Sequence, residues 1–280
     1  MSKPVKLNIF FKDQIKSYII NNNLFKKGPN SKHSLDVILD VIYYILQTGN
    51  SWRTLNDPCF NNLYKWQTFY THFNKFCKFD VFKNVYLDLL SLYFKSNKSE
   101  KLKYISIDSS IIKNEYASDC NFGYNKKKRC SKLSIIVDSF GIPLSALLVK
   151  GSNSDQTILF DNFKDLFVNI SYNSNNNKHK RYLLADTGYD SEKIRNMVNN
   201  FKIHSIIPAN KRNTKNKELL KKKKLSGAHR KIYRKRMIVE NCFSWIFKNR
   251  RLNRRYDKNI TSYLAFLFMG FIKIIIKRIK

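Results

Sequence analysis

The 280-residue chain is long enough for one large or two ordinary domains, and its content of 43% hydrophobic and 14% aromatic residues excludes a wholly disordered protein. Its 53 lysines and arginines stand against 20 acidic residues, and the formal net charge of +33 favours a polyanion such as nucleic acid as the partner. The five cysteines are odd in number and never spaced as CxxC, which argues against a disulfide framework or a zinc finger and favours a reducing compartment.

The first part of the chain predicts helices. Apolar residues recur at helical spacing in three successive segments: 31–47, 61–76 and 80–95. The polar segment 96–101 breaks this pattern. We therefore expect residues 1–98 to form an all-helical domain that is separate from residues 99–280.

The first two of these helices are compatible with a helix-turn-helix that reads the ends of a DNA element. Four polar side chains would face outward from the second helix: Lys65, Gln67, Thr68 and His72. A purely structural three-helix cap fits the same pattern equally well. Trp52 and Arg53, which lie between the two helices, likewise suit either a structural role or contact with DNA.

Beyond residue 98 the apolar pattern changes to that of strands. Strands are predicted at 103–110, 132–139, 142–151, 181–186 and 203–208. Helical patterns at 154–167 and 190–201 separate the later strands. The turn Phe140–Gly141 predicts that the second and third strands form an antiparallel hairpin. Three antiparallel strands followed by alternating helix and strand indicate an α/β fold.

The C-terminal part is basic and then apolar. A lysine-rich stretch extends to about residue 230, and a basic helix is predicted over 233–251. The apolar segment 260–280 is interrupted by Lys273, and the run before this lysine is short of the roughly 20 residues that a membrane span needs. We therefore expect a buried or amphipathic helix and no membrane partner. The N-terminus also has no apolar run of signal-peptide length, so we expect a protein that is not secreted.

Three acidic residues stand out in this layout. Asp108 ends the first strand, Asp186 ends the fourth, and Glu240 lies inside the basic helix. Carboxylates that converge from neighbouring strands repel each other unless a cation neutralises them, and oxygen ligands favour Mg²⁺ or Mn²⁺. Each acid also has a structural alternative. Asp108 and Asp186 suit turns, and Glu240 suits an ion pair with Arg236 one turn earlier, worth roughly 0.2–0.5 kcal/mol.

Several segments together resemble the DDE-class transposases of bacterial insertion sequences. The similar segments, in chain order, are QTGNSWRTL (47–55), YISIDSSII (104–112), IIVDSFGIPLSALLVKGSNSD (135–155), LLADTGYDSEKIR (183–195), the spacing Tyr233-x2-Arg236-x3-Glu240, and NRRLNRRYDK (249–258). The resemblance extends along nearly the whole chain. It implies a ribonuclease-H-like catalytic core, which is a mixed sheet flanked by helices, over residues 99–280, with basic helices at its C-terminal end.

The resemblance also implies the chemistry. Asp108, Asp186 and Glu240 would be the catalytic residues and the ligands of Mg²⁺ or Mn²⁺, in a site for two ions that cuts DNA and transfers a strand. The partner would be double-stranded DNA, both element ends and target, bound by a homodimer or a higher assembly. The residues expected to contact this DNA are Tyr233, Arg236, Lys248, Arg250, Arg251, Arg254, Arg255, Lys65 and Arg53.

One departure from the family keeps other functions open. The family usually has a lysine seven residues after the glutamate, but here Phe247 holds that position and the lysine is Lys248. A transposase-derived protein that binds DNA without catalysis is therefore an alternative, and so is a nuclease that cuts without joining strands. The abundance of Lys, Asn and Ile, whose codons are AT-rich, means that the positive charge alone does not decide between them.

Overall fold

The computed structural model describes residues 7–25, 32–56, 65–95, 98–114, 116–117, 121–122, 129–170, 180–210 and 225–279. The chain divides into two compact units. The helical unit comprises Met1–Tyr93, Lys113–Ser118 and Trp245–Lys280, and the sheet unit comprises Phe94–Ile112 and Asp119–Ser244. The C-terminal segment from residue 245 thus groups with the N-terminal helices, whereas the sequence analysis drew one boundary at residues 98–99 and assigned this segment to the catalytic domain.

The sheet is mixed, and its strands follow the order β4-β3-β1-β5-β6. These strands are β1 (Tyr104–Asn114), β3 (Arg129–Val137), β4 (Pro143–Lys150), β5 (Arg181–Leu184) and β6 (Ile203–Ile206), and a two-residue strand β2 (Asn121–Phe122) also pairs with β3. β3 and β4 are antiparallel, as the Phe140–Gly141 turn predicts, while β5 is parallel to both β1 and β6. β7 (Arg254–Arg255) pairs in parallel with the last two residues of β1, Lys113 and Asn114.

Helices connect the later strands of the sheet. α5 (Lys98–Lys101) precedes β1, α6 (Asp155–Ile170) links β4 to β5 and packs on β4 and β3, and α7 (Glu192–Asn200) links β5 to β6. A hairpin beside β1 on one side, and two parallel strands reached through helices on the other, form a ribonuclease-H-like sheet. The predicted fold class, a mixed sheet flanked by helices, is therefore confirmed.

The predicted continuous basic helix over 233–251 is wrong. It consists of α8 (Gly227–Tyr233), a 3-10 turn at Arg234–Arg236, and α9 (Met237–Phe247), followed by the short α10 (Arg250–Asn253). Glu240 therefore lies in the first turn of α9 rather than in the middle of a long helix. Helical periodicity cannot distinguish these cases, because a single 3-10 turn rotates the following residues only slightly.

The helical unit is built from both ends of the sequence. It contains α1 (Ile9–Asn21), α2 (Leu35–Thr48), a 3-10 turn at Trp52–Asn56, α3 (Trp66–Lys78), α4 (Val81–Tyr93), α10 and α11 (Ile260–Ile279). α2 begins after Ser34, whose hydroxyl accepts a hydrogen bond from the Val37 N–H, and so starts later than predicted. α1, which the sequence analysis did not predict, is attached to α2 by ion pairs of 2.6 Å, Lys12–Asp40 and Lys16–Asp36.

α11 lies in the core of the helical unit, where it packs against α4 and α3. The rings of Phe73 and Phe266 stack with their centroids 4.4 Å apart, and those of Tyr86 and Phe271 lie 5.4 Å apart. By length and composition α11 could cross a membrane, but 56% of its most apolar stretch is buried inside the protein. The prediction of a buried helix in this segment is confirmed.

Candidate active site

Asp108 and Asp186 lie at the same level on two neighbouring parallel strands of the sheet unit. Tyr104 pairs with Tyr182 and Ser106 with Leu184, and each aspartate follows two residues after this last pair. β1 continues to Asn114, so the prediction that Asp108 ends the first strand is wrong: Asp108 lies within β1, and Asp186 follows the end of β5 at Leu184. Adjacent strands run about 4.8 Å apart, so the two aspartates are near neighbours. The Asp186 carboxylate accepts a hydrogen bond from the Gly188 N–H, which begins the 3-10 turn Thr187–Tyr189.

The Asp108 carboxyl is in an environment that disfavours its negative charge. Burial raises its pKa, and the nearby charge of Asp186 raises it further. The Ser109 N–H, which donates to Asp108 Oδ1 at 2.8 Å, and the guanidinium of Arg236 act in the opposite direction. A cation that approached Asp108 from the solvent side would therefore stabilise its ionised form and offset the cost of burying this negative charge near Asp186.

Arg236 lies between Asp108 and Glu240. Its Nη1 donates to Asp108 Oδ2 at 3.0 Å, and its Nη2 donates to Glu240 Oε1 at 2.5 Å. Burial by itself would lower the pKa of Arg236, but the charges of Asp108, Tyr233 and Glu240 outweigh this effect and raise it. The ion pair with Glu240 that the sequence analysis offered as a structural alternative is present, and it extends to a catalytic candidate on β1.

Tyr233 completes this group of side chains. It is half-buried, and burial raises the pKa of its hydroxyl, with the negative charges of Asp186 and Asp108 adding to the shift and Arg236 opposing it. The phenol therefore stays protonated at neutral pH and can donate a hydrogen bond. The three side chains of the signature Tyr-x2-Arg-x3-Glu thus lie close together, although they belong to three successive elements: α8, the 3-10 turn and the first turn of α9.

Three further residues of the sheet unit, Ser109, Lys132 and Asp155, are bonded to one another beside Asp108, and the sequence analysis missed their role. The Ser109 hydroxyl donates to Asp155 Oδ1 at 2.7 Å, and Lys132 Nζ donates to the same oxygen at 3.2 Å. Gly188 is close to this pair, because a Cβ added to it would lie 3.0 Å from Asp186 Oδ1 and 3.7 Å from Asp155 Oδ2. Asp155 sits in the first turn of α6, where an acidic residue is ordinary, so the sequence gives no signal for it.

The donor set is chemically suited to a divalent cation. Asp108, Asp186 and Glu240 supply carboxylate oxygens, which Mg²⁺ and Mn²⁺ prefer. Within the described ranges, however, no group of three or more histidine, cysteine, aspartate or glutamate side chains is close enough to hold a metal ion. Arg236 contacts two of the three candidate ligands. A cation bound by Asp108 and Glu240 would share these two carboxylates with the guanidinium or displace it.

The basic residues of the C-terminal segment divide into two groups. Lys248, Arg250 and Arg254 are exposed, and Lys248 directly follows the end of α9. Arg251 and Arg255 are only 4% and 0% exposed. Arg251 forms an ion pair of 2.8 Å with Asp257, and Arg255 donates to the carbonyl oxygens of Asp257 and Lys258 at 3.0 and 3.1 Å. Because their guanidinium groups are buried and bonded within the protein, the prediction that these two arginines contact DNA is wrong, and both stabilise the fold.

The remaining candidates lie in the N-terminal part of the helical unit. Lys65 and Gln67 are exposed, whereas Thr68 and His72 are half-buried. Burial lowers the pKa of His72, and the positive charges of Lys75 and His33 lower it further. Trp52 is 8% exposed and packs on Phe73, so the structural alternative is correct for this tryptophan. Arg53 is exposed, and its guanidinium lies 5.9 Å from the centroid of the Trp66 ring.

The chain is similar to known transposases. A family model described as a transposase DDE domain matches residues 100–272, a range that contains all three acids. A putative transposase for insertion sequence element IS402 from Burkholderia cepacia is 29% identical over 140 residues, or 50% of this chain. The matched region spans 60% of that relative's length.

Two solved structures are distant neighbours of this chain. The crystal structure of a pre-cleavage Mos1 transpososome matches 91% of this chain and 81% of its own, with 10% identity and a TM-score of 0.28. The Mos1 transposase paired-end complex with left transposon end matches 90% and 78%, with 11% identity and the same TM-score. At this TM-score neither similarity bears on the function of the chain.

Proposed function

Because the chain belongs to the family of transposases with a DDE domain, we propose that it is an active, metal-dependent transposase. It would cut DNA at the ends of a mobile element and join the freed 3′ end to target DNA. The observation that supports this most is the geometry of the sheet unit. Asp108 and Asp186 occupy matching positions on parallel strands, and Arg236 links Asp108 to Glu240.

Asp108, Asp186 and Glu240 are the residues that would hold Mg²⁺ or Mn²⁺. Two such ions, when bound, would polarise the phosphoryl group of the DNA and would activate the attacking water or 3′-hydroxyl. The protein's own contribution is to keep the carboxylates in place. Ser109 and Lys132 fix Asp155 beside β1, next to Asp108, and the Gly188 N–H orients Asp186.

Arg236 and Tyr233 are suited to the DNA strand once the carboxylates are neutralised. The Arg236 guanidinium then loses its two partners, and its planar N–H fork matches a phosphate group. The Tyr233 hydroxyl, which stays protonated at neutral pH, is a donor to a phosphate oxygen. The exposed Lys248, Arg250 and Arg254 would bind flanking phosphates, and Lys65 and Arg53 those of the element end. The resemblance to transposases favours a homodimer or higher assembly on this DNA.

Conservative substitutions test the three acids. The substrate is a duplex that carries the inverted repeats flanking the gene, incubated with Mg²⁺ or Mn²⁺ and target DNA. We expect wild type to nick the element end and to produce joined strands. Asp108→Asn, Asp186→Asn and Glu240→Gln should bind the duplex but lose cutting. The matched control is Asp161→Asn, which removes a 61%-exposed acid of α6 and should retain full activity.

A DNA-binding protein without catalysis is the second candidate. It is favoured by the bridge from Arg236 to Asp108 and Glu240, which occupies two of the candidate ligands. In the same assay this candidate predicts that wild type binds the duplex and cuts nothing with either metal. Cutting without joined products would instead identify a nuclease.

A further inference from the structure

The helical unit contains a cavity of about 770 Å³ that is separate from the acidic site of the sheet unit. This volume lies within the usual range for small-molecule sites. Four of its lining residues, Gly49, Ser51, Trp52 and Arg53, belong to the segment 47–55 that the sequence analysis singled out. The proposed chemistry of the three acids does not use this cavity.

Aromatic rings form much of the wall of this cavity. Trp66 and Tyr70 line it with their centroids 6.1 Å apart, together with Trp52, Tyr116 and Tyr256. Tyr116 and Tyr256 are 57% and 41% exposed, so their ring surfaces are open to solvent. Exposed rings around a cavity are suited to a flat, unsaturated ligand that stacks on them.

The charge of the lining favours an anion. Arg53 and Lys258 are exposed cations. Among the described residues that line the cavity, Asp257 alone is acidic, and it is already paired with the buried Arg251 at 2.8 Å. An aromatic, anionic ligand therefore matches the cavity better than a neutral or cationic one.

The wall that carries Tyr256 and Lys258 is held in place by the two buried arginines. Arg255 donates to the carbonyl oxygens of Asp257 and Lys258, and Arg251 donates to the carbonyl oxygen of Asn50 at 2.9 Å. Arg251 therefore links two of the segments that line the cavity, 49–53 and 256–259. A site fixed in this way loses little conformational entropy when a ligand binds.

We propose that this cavity binds one unstacked nucleotide of a DNA strand. The base stacks on Tyr256 and Tyr116, and Arg53 and Lys258 bind the adjoining phosphates. The inference rests on the proposed action on DNA, but not on the catalytic role of the three acids. It assigns Tyr256 and Lys258, whose segment the buried Arg251 and Arg255 hold in place, to recognition of a single base.

Two duplexes of equal length test this assignment, one fully paired and one with a single unpaired thymidine. Equilibrium binding by fluorescence anisotropy in the absence of divalent metal gives the ratio of their affinities. Since stacking of one base on an aromatic side chain is substantial, we expect wild type to prefer the unpaired duplex by about tenfold. A photoreactive thymine analogue at the unpaired position should cross-link to an aromatic residue of the cavity.

Variants separate stacking from general binding. Tyr256→Ala and Tyr116→Ala should lose most of the preference while binding the paired duplex within about twofold of wild type. Tyr256→Phe keeps the ring and should keep the preference. The control Phe140→Ala, which removes a 37%-exposed ring of the sheet unit, should leave both affinities unchanged.

Three results overturn the inference. They are equal affinity of wild type for the two duplexes, an equal loss for both duplexes in Tyr256→Ala, and a cross-link outside the cavity. In each of these cases DNA binding persists, so the proposed function survives. Failure of wild type to bind either duplex would instead refute the proposed function, and the cavity assignment with it.

Discussion

Replacing Arg236 by glutamine should destabilise the metal-free protein and strengthen its affinity for a divalent cation. The guanidinium makes two charge-assisted hydrogen bonds, to Asp108 at 3.0 Å and to Glu240 at 2.5 Å. Without it, the two carboxylates lose their common counter-ion. The same loss frees both of them for a cation.

The size of the effect follows from the exposure of the three side chains. Arg236 is 17% exposed and Asp108 25%, so their bond is partly shielded and contributes about 1.5 kcal/mol. Glu240 is 40% exposed, and solvent screening reduces its share to about 0.5 kcal/mol. A total loss of about 2 kcal/mol lowers the melting temperature by roughly 4–8 °C in a protein of this size class.

Thermal unfolding and urea unfolding in a chelating buffer measure this loss, and titration with Mn²⁺ followed by calorimetry measures the affinity. The control Lys164→Gln breaks an ion pair of 3.8 Å between side chains that are 81% and 61% exposed, and it should change neither quantity. The reasoning is refuted if Arg236→Gln unfolds like wild type in chelator, or if it binds Mn²⁺ more weakly than wild type does.

Three other predictions concern protonation, DNA contact and strand joining. Burial raises the pKa of Asp108 in the folded protein above its ordinary value of 3.8. The stability contributed by the protonated carboxyl is therefore fully present below pH 3.8, and it is lost as the pH rises through the pKa of the folded state. The free energy of unfolding of the neutral Asp108→Asn should therefore rise relative to that of wild type as the pH increases above about 4, which urea unfolding without metal measures; a difference that stays constant with pH would contradict the shift. Arg254→Ala should reduce the salt dependence of duplex binding by about 0.9 in the log–log slope, whereas the buried Arg255→Ala should instead lower stability by about 3 kcal/mol, and equal effects on the slope would refute this division. Lys248→Ala should cut an element end but fail to join a pre-nicked one to target DNA, and joining at the wild-type rate would exclude a role for this lysine.

The fold class could be predicted because its signals are local. Alternation of apolar residues marks the strands, and Asp186 stands just after the buried β5, whereas β1 continues six residues beyond Asp108. Only the resemblance groups the three acids, and their shared role stays a prediction. The match between Asp108 and Asp186 across β1 and β5 agrees with this grouping.

The features that could not be predicted depend on contacts distant in sequence. Arginines at 250, 251, 254 and 255 look equivalent in a basic run, but only Asp257 and two backbone carbonyls decide which of them are buried. The grouping of α11 with α4 and α3 is likewise a tertiary contact that no periodicity reports. The pairing of Ser109 with Asp155 joins residues 46 positions apart, and neither residue is unusual in its own segment.

The position of α11 has a consequence for synthesis. α4 is complete at Tyr93, but the helix that covers it begins at Ile260. At about 5–20 residues per second, a ribosome takes roughly 10–30 seconds to reach that helix after α4 has emerged. During this interval the nascent chain displays the apolar face of α4 without its partner, so the helical unit matures only after the sheet unit has been translated. A nascent chain would thus gain its cavity, and any contact with DNA made there, only after synthesis has passed α11.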